Sequence, residues 1–391
     1  MNNISNKCTY EKWDNCPEYF YIHWPFCSNR CHYCDFVALE KHDEFVEKYH
    51  ESLCWQIKHF AKNFYKPEIK TIFIGGGTPS LYPLNLFQNF INLLDDNFCL
   101  KNLKEFTIEA NPEDITKEHL ENWKDLFVNR LSLGVQVLDQ DILANLNRKQ
   151  DIEKIHKVME MAPNYFDNIS VDLILGLPGV DDKIWLETLQ TVCKWPIKHI
   201  SIYLLTVYNN TKLYFRIKEK KIKILKDDKI VDLYEKTVDY LRSNNFEQYE
   251  ISNFAKKGFE SMHNIAYWDR KTYKGFGLGA CSFDGKNRLQ NENNLNKYLK
   301  NSNREKFEVE FIQESLTNDQ IFLEKLMLGL RQNKGVDLPS MLYFLDEHKK
   351  DKFLNKIKTL KSDGLIKISG DTICLTLKGM MLENELILGL I

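Results

Sequence analysis

Between residues 18 and 205, short runs rich in β-branched or aromatic residues alternate with segments of helical apolar spacing. The strand-like runs are Tyr19–Trp24, Lys70–Ile74, Glu105–Ala110, Arg130–Val135, Ile169–Leu175 and His199–Leu205. Each is short enough for a buried strand. Helical spacing marks Phe45–Phe64, Leu84–Asp95, Lys117–Leu126 and Lys183–Trp195, among others. Strand–helix units in series build a parallel sheet. Six of them predict an α/β fold, an open, partial (β/α)6 barrel. In barrels of this kind functional side chains sit on the loops that follow the strands, and here the polar and glycine-bearing segments fall in those places.

After Leu205 the pattern loosens. Arg216–Lys229 is a lysine-rich run, expected to be a solvated helix face like His348–Lys361. Ile230–Arg242 reads as a helix, Phe246–Ser252 as an extra strand at the barrel edge and Tyr273–Phe283 as a glycine-rich loop. From about Thr317 the texture changes. Helices are expected at Asp319–Leu330 and Lys352–Ser362, then two short apolar runs, Leu365–Ile368 and Ile373–Leu377, around a turn at Gly370–Asp371. Helices followed by a two-stranded wing predict a winged-helix-like C-terminal domain. The expected division is a tail at 1–17, a barrel with an extension at 18–310 and the C-terminal domain at 311–391.

Composition narrows the class of function. A formal net charge of -2 gives no global basic field to attract nucleic acid or an acidic membrane. The start, Met1 to Asn15, is polar, and no apolar run approaches the roughly 18 residues that span a bilayer. A cytoplasmic location is expected. Of ten cysteines, three cluster and the rest are scattered, which favours a reduced compartment and a metal site over disulfides.

The cluster is Cys27, Cys31 and Cys34, in a loop directly after the first strand. Three thiolates at gaps of three and two residues can converge on one metal centre. One possibility is a zinc knuckle, which usually wants a fourth similar ligand nearby. The other is a four-iron cluster, in which three cysteines leave one iron open. This loop resembles that of the radical S-adenosylmethionine (SAM) superfamily. The resemblance implies a [4Fe–4S] cluster whose open iron is chelated by SAM, which one-electron reduction cleaves to a 5′-deoxyadenosyl radical. The segment Gly75-Gly76-Gly77-Thr78-Pro79, after the second strand, lets a ligand approach without Cβ obstruction. It looks like the superfamily segment that lies against the SAM amino group, with Gly76, Gly77 and Thr78 at the contacting positions.

Other strand ends carry Glu109, Gln136 and Asp172, which can accept from ribose or adenine at a barrel mouth, and Arg148 follows in Leu-Asn-Arg-Lys-Gln. An arginine there could pair with a ligand carboxylate in a bidentate way. Together with Tyr21-Ile-His-Trp-Pro-Phe-Cys27, Ser132-Leu-Gly-Val-Gln136, Tyr249-Glu-Ile-Ser-Asn253 and Leu326-Met-Leu-Gly-Leu-Arg331, the chain resembles one subgroup. It comprises the oxygen-independent coproporphyrinogen III oxidases and the related heme chaperones of the HemW type. The resemblance runs from about Tyr21 to the C-terminus. It implies that Tyr21, Tyr33, Gly76, Gly77, Thr78, Glu109, Gln136, Arg148 and Asp172 contact SAM.

Two features separate the branches. The oxidases carry a further cysteine two residues past the third, and here that residue is Phe36, as in the chaperones. His263-Asn264-Ile265-Ala266-Tyr267-Trp268 matches the chaperones' HNxxYW motif. Histidine is a standard axial ligand of heme iron, so His263 is the expected ligand, with Tyr267 and Trp268 stacking on the porphyrin. Where the family usually has Glu-Pro-Gly, this chain has Tyr208-Asn209-Asn210, and no acidic contact is carried over there. The function expected is binding heme and handing it to an acceptor protein, with a reducing electron donor as a second partner. The alternatives are radical decarboxylation of coproporphyrinogen III and RNA modification. Balanced charge, without a basic stripe carrying interleaved aromatics, argues against nucleic acid.

Overall fold

The computed structural model describes residues 13–302 and 309–390. The expected tail therefore lies mostly outside the described residues. Six parallel strands follow one another in chain order: β1 (Tyr19–Trp24), β2 (Thr71–Gly76), β3 (Glu105–Ala110), β4 (Arg130–Gln136), β5 (Asn168–Leu175) and β6 (His199–Leu204). Their alternation is strict. Phe20, Ile22 and Trp24, Ile72 and Ile74, Phe106 and Ile108, Leu131 and Leu133, and Ile200 and Ile202 are fully buried. They form one core with helix residues such as Leu53, Ile57, Phe87, Phe90, Trp185 and Leu233. The residues between them point the other way, into the barrel, and most are polar: Thr107, Glu109, Arg130, Ser132, Ser170, Asp172 and Ser201. A strand buried on both faces usually reads as a continuous apolar run. Polar residues on the inner face mark a barrel whose interior is kept for chemistry.

The sheet has nine strands, not six. The segment expected as one edge strand over Phe246–Ser252 splits into β7 (Glu247–Gln248) and β8 (Asn253–Ala255); β8 is antiparallel to β6, and β7 is antiparallel to β8 at the sheet's edge. Glu250 interrupts it, fully buried, with Oε2 accepting from the Ser252 N–H at 2.9 Å. Tyr273–Phe283, expected as a loop, contributes β9 (Lys274–Phe276), which pairs in parallel with β1, and β10 (Cys281–Phe283). The glycines that suggested a loop allow close approach instead. A Cβ on Gly275 would stand 2.1 Å from the Cys281 carbonyl oxygen.

A three-stranded antiparallel sheet is completed by β11 (Asn287–Asn291) and β12 (Glu310–Ser315). Residues 311–315 thus pair with β11, which moves the start of the C-terminal unit beyond Ser315 rather than to 311. That unit opens with a capping box, Thr317 and Gln320, at helix Asn318–Leu330. Strand β13 (Val336–Asp337), helices Leu338–Leu342 and Glu347–Ser362, and the hairpin β14 (Ile366–Ser369)–β15 (Thr372–Leu375) follow in the winged-helix order. A separate core of Phe322, Leu326, Leu330, Phe353, Ile357 and Ile373 holds it together. Among the described residues, no helix is long and apolar enough to cross a membrane.

Candidate functional site

The cysteine loop leaves β1 at the end where the parallel strands terminate, and its return is pinned. His23 Nε2 stands 2.7 Å from the Val37 carbonyl oxygen, so that nitrogen carries the proton and Nδ1 accepts from the Tyr21 hydroxyl at 3.0 Å. Arg30 donates to the carbonyls of Cys34 and Phe36, and His32 N donates to Leu146 O at 2.9 Å. Arg216, expected to be solvated, instead reaches His32 Nδ1 at 3.0 Å and Asn145 O at 2.6 Å.

Cys27, Cys31 and Cys34 line a cavity of about 480 Å³ over the barrel mouth, together with Gly76, Gly77, Thr78, Glu109, Gln136, Arg148, Asp172 and Tyr33. No three His, Cys, Asp or Glu side chains among the described residues close on a single ion. Three thiols on the wall of a cavity this size leave room for a multi-iron cluster and a ligand beside it. Burial, and then the neighbouring cysteines, push the Cys27 thiol up to about 11, and burial raises Cys34 as well.

The glycine segment is fixed by its amides. Gly77 N donates to Trp24 O at 2.7 Å, Thr78 N to Phe26 O at 2.9 Å and Gly76 N to Glu109 Oε2 at 3.2 Å. Its carbonyls are what remain for an ammonium group. Gly76 has φ +119, and a Cβ there would lie 2.6 Å from the His23 ring, so only glycine fits.

Three oxygens of Glu113, Gln150 and Asp172 are buried on the wall of this cavity without a hydrogen-bond partner among the described residues. Buried polar atoms are rarely left so. Convergent unpaired acceptors fit a ligand rich in donors, and SAM offers an ammonium, ribose hydroxyls and an adenine amine. Burial, and then the Asp172 charge, push the Glu109 carboxyl up to about 8, and burial lifts Glu113 to about 7. Burial also raises Asp172, whose Oδ2 accepts from Ser132 at 2.9 Å. A cationic ligand would favour the ionised form of these acids.

Two expected SAM contacts sit differently. Tyr21 does not line the cavity; it lies deeper in the barrel against Phe73. Arg148 lines it, but Nη2 is committed to Asn111 Oδ1 at 2.6 Å and Gly134 O at 2.7 Å, and Nη1 to Tyr33 OH at 3.4 Å. It braces the cluster loop against β4, with Nη1 also 3.6 Å from Cys31 Sγ, while Nε is buried without a partner among the described residues.

His263 lies far from the cysteines. It is 1% exposed, at the opposite end of the strands from the cysteines. Nδ1 is 2.7 Å from Thr71 Oγ1, at the start of β2, and Nε2 is 2.9 Å from Tyr267 OH. Its backbone N–H and that of Met262 both donate to the buried Glu105 carboxylate. Both ring nitrogens are thus within hydrogen-bond distance of a hydroxyl. Tyr267 is turned inward with it. Trp268 is the member of the motif that faces a cavity.

His23, Glu113 and Gln150 were not singled out from the sequence. Glu113 and Gln150 follow strand-end segments already flagged by Glu109 and Arg148, so strand-end position was the available signal. His23 had none, because a histidine inside a strand reads like any core residue.

Residues 21–192 match the radical SAM superfamily and residues 316–382 the HemN C-terminal domain. The chain is 34% identical to the heme chaperone HemW of Bacillus subtilis, over 93% of this chain and 97% of that protein. It is 33% identical to the heme chaperone HemW of Lactococcus lactis, over 82% and 83%. Coproporphyrinogen III oxidase (HemN) from Escherichia coli superposes with a TM-score of 0.81 at 23% identity, covering 96% of this chain and 90% of that one, which is a likeness of fold.

Proposed function

The chain belongs to the heme chaperone HemW family of the radical SAM superfamily, and on that premise we propose that it binds heme and passes it to an acceptor protein. The observation that carries the heme reading is the likeness to HemW proteins along nearly the whole chain. Phe36, 69% exposed at the cavity rim where the oxidases have a further cysteine, supports the same branch.

Cys27, Cys31 and Cys34 hold the [4Fe–4S] cluster and leave one iron for SAM; when bound, this pair supplies one-electron chemistry. The protein's own part is to shape and dry the site. The Gly76–Thr78 carbonyls would accept from the SAM amino group. Glu109 and Asp172 take donors from the ribose, and Gln136, Glu113 and Gln150 complete the acceptor wall. Arg148 and Tyr33 hold the cluster loop against the barrel. A reducing electron donor and a cytoplasmic location complete the reading.

Anaerobic transfer from heme-loaded protein to an apo-hemoprotein, followed by the acceptor's spectrum, tests it. Transfer at a rate above that of free heme supports the proposal. Absence of stoichiometric heme binding overturns it, as would SAM-consuming conversion of coproporphyrinogen III to protoporphyrinogen IX.

A further inference from the structure

Two walls of the cluster cavity separate it from another space. Tyr203 and Leu204 divide it from a second cavity of about 460 Å³, which runs to Trp268, Arg331 and Glu383. The cysteine loop divides it from the protein surface. Cys31, Tyr33 and Cys34 line the cavity, and His32 between them does not. Its ring meets Arg216 instead, with Nη1 3.0 Å from Nδ1.

Arg216 belongs to a strongly basic stretch. Residues 212–226 carry seven basic side chains, Arg216 and six lysines, against the single acid Glu219, in a chain whose net charge is -2. The fold holds this stretch against the outside of the cysteine loop. Leu213 N donates to the His32 carbonyl at 2.8 Å, Arg216 donates to Asn145 O at 2.6 Å, and the Asn210 amide donates to the Asp35 carboxylate. Leu213 is fully buried beneath, while the lysines are exposed. Among the described residues, Lys221 alone of the six forms a salt bridge, with Glu219. Lys212 and Arg216 are the charges that bear on the His32 ring. Between the basic residues in sequence, Phe215 and Ile224 are 52% and 48% exposed. Exposed apolar side chains flanked by charge are the anatomy of a docking surface, and a single-sign field of this kind selects a partner of the opposite sign.

We propose that residues 212–226 are the docking surface of the electron donor, and that this donor is a small acidic protein carrying a flavin or an iron–sulfur centre. The proposal rests on the reading that the three cysteines hold a cluster that takes up electrons. The donor is oxidised by one electron and the cluster is reduced by one; no bond is made or broken. The way inward is short, from helix Lys212–Lys218 across its two hydrogen bonds to His32, the residue next to Cys31. Encounters of this kind are small, below about 1,200 Å², and depend on charge that salt screens. RNA and an anionic lipid surface are also drawn to lysines. Neither accounts for the bonds that tie this surface to the residue between two cluster cysteines.

The test mixes the cluster-loaded full chain, without oxygen, with reduced flavodoxin or a reduced [2Fe–2S] ferredoxin, both acidic carriers. It follows the bleaching of the cluster absorbance, and binding by titration. The triple variant Lys212→Glu, Lys218→Glu, Lys223→Glu is expected to weaken binding and slow reduction about tenfold at low salt. Raising the salt should bring the wild-type rate down toward that of the variant. Reduced methyl viologen, a small cation that needs no docking surface, should reduce the variant no more slowly than the wild type, which shows its cluster intact. Lys358→Glu, Lys361→Glu, Lys367→Glu makes the same change of net charge on the C-terminal unit and should leave rate and binding at the wild-type level. Equal loss in the two triple variants, or none in the first, overturns the surface. So does a wild type that viologen reduces and neither carrier binds, or a first variant that loses tRNA or phosphatidylglycerol vesicles but keeps both carriers. A wild-type cluster that viologen fails to bleach overturns the cluster reading instead.

Discussion

The imidazole of His23 closes the cysteine loop by holding the Val37 carbonyl, fourteen residues on, at 2.7 Å from Nε2. Burial pushes its pKa down to about 4, against an ordinary 6.5. The sign follows from linkage. A histidine that is harder to protonate in the folded state contributes stability present above pH 6.5 and lost as pH falls toward 4.

His23→Leu should therefore leave Val37 O unpaired, destabilise the chain by about 1–3 kcal/mol, and lower the iron retained after anaerobic reconstitution. The decline of melting temperature between about pH 7 and pH 4 should become shallower in the variant. An unchanged iron content together with an unchanged pH profile would remove His23 from the loop's support.

SAM affinity should rise with pH. Glu109, at about 8, and Glu113, at about 7, are protonated in the empty site near neutrality, and a cationic ligand favours their carboxylates. Binding then releases protons, so affinity increases from about pH 6 and levels off above about pH 8. Equilibrium binding of SAM to cluster-loaded protein measures this, and Glu109→Gln should both weaken binding and flatten the profile. In the unloaded chain, raised carboxyl pKa values favour folding most below pH 4.5 and lose that contribution as pH climbs to about 8. Glu109→Gln should accordingly narrow the stability gap between pH 5 and pH 8.

Cluster loading should also respond to pH. Cys27 is raised to about 11, and a thiol must lose its proton to bind iron. Reconstitution should speed up between about pH 7 and pH 9, and Cys27→Ala should abolish the brown chromophore. A pH-independent loading rate would contradict the protonated thiol.

Lys274 on β9 and Glu310 on β12 form an ion pair with side chains 0% and 1% exposed. Lys274→Met would strand the buried carboxylate, at a cost of about 3–5 kcal/mol in denaturant unfolding. Adding Glu310→Leu should recover much of that loss, because a buried carboxylate deprived of its cation, though still bonded by the Ser282 hydroxyl, rather than a missing contact, is the cause.

The six barrel strands were legible because one face of each is uniformly apolar and the other polar, a period that local sequence carries. β9 was not, because Gly275 and Gly277 look like loop residues until the Cys281 carbonyl is seen passing at van der Waals range. The cysteines were legible from their position after a strand, and Glu109 and Asp172 as carboxylates within otherwise apolar strands. The buried setting of His263 was not legible, because it depends on Thr71, 192 residues away. Arg216 was misjudged because a lysine-rich run averages to a solvated face, and the contact with His32 spans 184 residues.

Tyr203 and Leu204 stand as a partition between two rooms. A shift of that partition from one side is felt on the other, and thermodynamics makes any such influence mutual: the factor by which a ligand on one side changes affinity on the other is returned in full.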